Sequence, residues 1–172
     1  MEKFWEKLNQ YDILNNLIPG AIFSFILKFR GVGIFAIVNT LEFVFLAYFC
    51  GIIISRIGSL IVEPILKRIR FLNFASYTDF QKAEKIDNKV KDLSAINNMY
   101  RTFTALMLVY GISELYLLLV SRFTCLSNYS IPVLCTVLFA LFAMSYRKQT
   151  AYIRERVNHI ISTTDKENNY EV

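Results

Sequence analysis

The chain has 172 residues, 55% of them hydrophobic, and a formal net charge of +5. This apolar balance excludes a disordered polymer, and the length favours one structural unit over two domains. The cations flank apolar segments, so membrane topology rather than nucleic-acid binding explains most of the basic excess. One histidine and three cysteines, with no Cys-x-x-Cys pair, cannot build a zinc site from a single chain. No metal and no cofactor is expected, and Cys50, Cys125 and Cys135 read as small buried hydrophobes.

The predicted elements are all helical, with no sustained alternation of apolar and polar residues. The start, Met1–Tyr11, is polar and lacks the basic opening and small-residue cleavage site of a secretory signal. Apolar segments follow at 13–27, 32–55, 103–121 and 123–146. The first is short and holds Pro19-Gly20, so it crosses a bilayer at an angle, re-enters, or begins as an interfacial helix. The second carries Glu42, and its apolar pattern continues weakly past Arg56 to Leu66, as one helix emerging into the cytosol would. Residues 1–66 therefore form the N-terminal membrane helices with their cytosolic extension.

Residues 67–101 are expected to be a cytosolic amphipathic segment. Thr78-Asp-Phe-Gln81 has capping-box spacing with Thr78 at the cap. Ala83, Ile86, Val90, Leu93, Asn97 and Tyr100 recur at heptad spacing. That seam either packs against the chain's own tail or joins subunits, with Asn97 fixing register. Residues 102–146 form an apolar hairpin that includes Glu114, and Pro132 suits the first turn of its second helix. The uncharged run from Phe123 to Tyr146 is long enough to cross a bilayer. Residues 147–172 hold a C-terminal helix with an apolar stripe of Tyr146, Ile153, Val157, Ile160 and Ile161, then a polar tail.

Four spans place 15 cationic side chains on the side of both termini and three, Lys28, Arg30 and Arg122, on the other. This bias predicts cytosolic termini. The competing topology has one or two spans, with the remaining apolar runs packed inside a helical domain.

Three groups of residues are candidates for chemistry. Glu42 and Glu114 lie within apolar runs, where a carboxylate is costly and marks a pore or an ion site unless it sits at the membrane edge or is bonded inside a bundle. Asn39 adds to the polar patch around Glu42. Asp12, Asn15 and Asn16 share one helix face, which either lines a pore in an assembly or caps a helix. Arg154-x4-His159 has the spacing of HEPN ribonucleases, where an imidazole moves the proton of an RNA 2′-hydroxyl and a cation holds the phosphate. Five residues on an ideal helix turn by about 140°, so these two side chains do not face one phosphate within one regular helix.

The small size, the helical membrane segments and Arg154-x4-His159 together make the chain resemble the small membrane accessory proteins of type VI-B CRISPR systems. The resemblance implies an all-α, HEPN-like helical bundle with transmembrane segments, assembled as a ring, an octamer, in the bacterial inner membrane. It implies an ion-conducting pore that depolarises the membrane in antiviral defence, downstream of an RNA-guided, RNA-cleaving effector. Arg154 and His159 are the residues it carries over, in a catalytic or a structural role, with RNA as a possible partner. The alternatives are a membrane-tethered ribonuclease and a non-catalytic membrane anchor or scaffold.

Overall fold

A computed structural model of the chain describes residues 13–123 and 129–170, apart from the side chains of Ile34, Ala36, His159 and 163–170. All regular structure among them is helical. We number the helices α1 (Ile13–Phe29), α2 (Thr40–Arg68), α3 (Tyr77–Ile86), α4 (Lys89–Arg122) and α5 (Ser130–Tyr170). The chain divides into two compact units at residues 127 and 128, the first holding α1 to α4 and the second α5.

Two prolines shape the first two helices. A proline removes a backbone donor, and its ring collides with the carbonyl four residues back. Each is preceded by one wide π-helical turn, Ile13–Leu17 before Pro19 and Gly58–Val62 before Pro64. The wider turn carries the helix past the imide without ending it. As a result α2 runs unbroken for 29 residues. The sequence expectation of one helix passing Arg56 toward Leu66 agrees with this.

The start of α2 differs from the apolar run at 32–55. Gly31 and Gly33 both have left-handed backbone, with φ of 65° and 52°, and a short 3-10 turn covers Gly33–Ala36. The helix proper begins after Asn39. The Asn39 side chain accepts from the Glu42 backbone N–H at 3.0 Å, and the Glu42 carboxylate accepts from the Asn39 N–H at 3.1 Å. This is a complete capping box.

Two expectations for 67–101 are corrected. The cap of α3 is Ser76, not Thr78: the Ser76 hydroxyl accepts from the Asp79 N–H at 3.2 Å. The heptad seam from Ala83 to Tyr100 does not lie on one helix. α3 stops at Ile86, and Asp87 takes extended backbone while its carboxylate accepts from the Lys89 N–H at 2.9 Å. Asp and Asn compete with helical hydrogen bonds in this way, and Asp87-Asn88 breaks the seam in two. Helix α4 then runs 34 residues without interruption. The tail helix expected after Tyr146 is continuous with the preceding apolar segment: α5 is a single helix of 41 residues, with Pro132 in its first turn.

Small residues hold the first unit together. At the crossing of α1 and α2, a Cβ on Gly20 would strike the Ala47 carbonyl oxygen and sit 2.6 Å from the Gly51 nitrogen, and one on Gly51 would strike the Asn16 carbonyl. The two backbones are in contact, as small residues permit between membrane helices. Gly58 meets α4 more loosely: a Cβ there would stand 3.3 Å from the Ala105 methyl. Around these contacts Phe23, Ile54, Val62, Ala105 and Leu106 form a narrow core.

Most large apolar side chains lie outside that core. Phe29, Leu41, Phe45 and Phe71 are each at least 70% exposed. In water such a surface would be an association or membrane site. Helices α2, α4 and the Ser130–Ser162 part of α5 are each long and apolar enough to cross a membrane; α1, at Ile13–Phe29, is shorter.

Candidate functional site: charged groups along the apolar helices

The carboxylates of the first unit are spread along the helices, each with its own partners. Glu42, at the start of α2, is exposed and closes the capping box with Asn39. Lys28 lies over the Phe43 ring, 5.4 Å from its centroid. Glu114, on α4, pairs with Arg30 at 3.1 Å, and both side chains are partly open.

Glu63 is the most enclosed of the three. Its side chain is 11% exposed, and it binds Lys67 at 2.7 Å and Arg101 of α4 at 2.8 Å. The first bond joins neighbouring turns of one helix; the second joins α2 to α4. Glu42 and Glu63 are 21 residues apart, about 30 Å along a helix. That matches the roughly 30 Å hydrocarbon thickness of a bilayer.

The sequence candidates distribute as follows. Asn15 is fully buried in the bundle, and Asn16 is half-buried with its backbone against Gly51. They do not present a common polar face. Asp12 lies outside the described residues. Asn39 and Glu42 are brought together by the cap, while Glu114 joins a different pair. Arg154 is exposed on α5, and the side chain of His159 lies outside the described residues. The backbone between them is α-helical.

Glu63 is not among the residues singled out by the sequence. The Glu63–Lys67 spacing was a visible signal, being the favourable i,i+4 order; Arg101, 38 residues on, was not. Among the described residues no group of three or more His, Cys, Asp or Glu gathers as a metal site. Cys50 is a free thiol, half-buried beside the core, and Cys135 is free and exposed. No protein-family model, curated protein or solved structure matches this chain.

Proposed function

We propose that the chain is a subunit of a homo-oligomeric pore in the bacterial inner membrane. On this reading α1 crosses together with α2, α4 and α5, so that both termini face the cytosol, and opening of the pore depolarises the cell in antiviral defence linked to an RNA-cleaving CRISPR effector. The observation that carries the membrane part is the exposed apolar belt of α2, bounded by Glu42 at one end and by Glu63 with its two cations at the other. The HEPN-like character, the ring and the defence role rest on the resemblance carried by Arg154-x4-His159. Glu42 is exposed at a helix start, so repeated copies would set an acidic ring at a pore mouth, and acidic rings favour cations.

The test is ion flux. Full-length protein reconstituted into potassium-loaded liposomes is expected to collapse an imposed potential and to select cations. Asp12→Asn and Glu42→Gln are expected to reduce that selectivity. Liposomes that hold their potential at every protein-to-lipid ratio contradict the pore reading and leave a membrane anchor. Purified protein incubated with RNA, beside His159→Ala, is expected to leave the RNA intact in both samples.

A further inference from the structure

Where α2 leaves the apolar belt, the chain reads Lys67-Arg-Ile-Arg-Phe-Leu-Asn-Phe74. Between Pro64 and Thr78 there are three cations and no acid. Lys67 is held by Glu63. Among the described residues neither Arg68 nor Arg70 pairs with a carboxylate, and both are exposed. Interleaved with them are Ile69, Phe71 and Phe74, also exposed, with Lys67 4.2 Å above the Phe74 ring. Cations alternating with bare rings at the end of a span match the boundary between headgroups and acyl chains.

The backbone supplies a second, independent observation. Helix α2 ends in a Schellman motif: Phe71 N–H donates to the Leu66 carbonyl at 3.0 Å and Arg70 N–H to the Lys67 carbonyl at 3.0 Å. The motif puts Arg70 in left-handed backbone, φ 60°, the one non-glycine residue with positive φ among those described. Glycine fits that position without strain. A residue kept in an unfavourable conformation points to a use for its side chain. The apolar contact that commonly accompanies the motif joins the residues equivalent to Leu66 and Phe71, yet the Phe71 ring is 75% exposed.

We propose that residues 67–74 form a collar that binds anionic phospholipid headgroups, Arg68 and Arg70 meeting the phosphates and Phe71 entering the acyl region beneath them. The collar orients α2 and selects the leaflet in which the charged end of the bundle rests. The inference rests on the membrane part of the proposed function and is independent of the pore.

The test uses the full-length chain in nanodiscs. Trp5 is the only tryptophan, so Trp5→Phe with Phe71→Trp gives a single reporter at the collar. Brominated phosphatidylglycerol and brominated phosphatidylcholine are compared as quenchers at equal mole fraction. Each arginine near an anionic surface is worth roughly a fivefold local enrichment, so phosphatidylglycerol is expected to quench several-fold more effectively. Arg68→Gln with Arg70→Gly is expected to erase that preference. Arg70→Gly alone is expected to keep or raise the melting temperature, which separates lost charge from lost fold. Equal quenching by both lipids, or a preference that survives the double substitution, overturns the collar while leaving the membrane placement intact. No quenching by either lipid overturns both. Reversal of quenching by an added oligoribonucleotide overturns the lipid assignment in favour of nucleic acid.

Discussion

The crossing of α1 and α2 and the contact of α2 with α4 hold the same helix by different physics. At the first, Gly20, Ala47 and Gly51 bring backbones into contact, with no room for even a methyl group. At the second, Glu63 reaches Arg101 through side chains, and the Gly58 approach is close but less severe: a Cβ there would stand 3.3 Å from the Ala105 methyl and from the Arg101 carbonyl oxygen. Packing in hydrocarbon gains little from apolar burial, because lipid is as apolar as leucine. What remains is close van der Waals contact where residues are small, and hydrogen-bonded charge where the helix nears water.

The largest expected effect is at the tighter contact. Gly51→Ala drives a methyl into the Asn16 backbone, which has no rotamer to give way, and should cost about 3 kcal/mol. Thermal melting in detergent checks it, with Gly111→Ala as the control: nothing lies within 4 Å of that position, so the change should be neutral or gain up to ~1 kcal/mol of helix propensity. Equal losses at both glycines would contradict a backbone contact specific to Gly51.

Next comes Glu63→Gln, which leaves Arg101 and Lys67 facing a neutral amide. Breaking a buried ion pair costs about 3–5 kcal/mol, and partial exposure of both cations reduces this to about 2 kcal/mol. Pairing it with Arg101→Met in a double-mutant cycle isolates the α2–α4 bond. A coupling near zero would mean that Glu63 serves only its own helix.

Asn39→Ala removes the cap of α2 and should cost about 1 kcal/mol. Glu114→Gln should cost least, under about 1 kcal/mol and less at high salt, because its pair with Arg30 is partly open to solvent. A larger, salt-insensitive loss would place that pair deeper than its exposure indicates.

The helices themselves were legible in the sequence. Long apolar runs specify long helices, and the 29-residue α2 follows from an apolar pattern that continues, weakly after Arg56, as far as Leu66. Local polar chemistry was less legible. Asn39-x-x-Glu42 has capping-box spacing, yet inside an apolar run it reads equally as a polar patch. The cap of α3 was expected at Thr78, and the extended backbone of Ser76 places the cap two residues earlier. The heptad pattern continued across Asp87-Asn88 because periodicity does not register a break whose length preserves phase. Of the candidate site, Glu42 was visible together with its neighbour Asn39, whereas Glu114 was visible only as a lone acid: its partner Arg30 lies 84 residues away. The strained backbone of Arg70 has no signature in composition or spacing.

The most direct measurement is nitroxide accessibility along α2 in nanodiscs, with labels at Leu41, Phe45, Phe49, Ile61 and Ile65 in a cysteine-free background. All five sites are exposed on the folded chain, so solvent rather than packing sets the signal. Oxygen should dominate relaxation at Phe45 and Phe49, and a water-soluble nickel chelate should dominate at Ile65, with Leu41 near the opposite boundary. A nickel response at Phe49 equal to that at Ile65 would contradict a lipid environment for the middle of the helix.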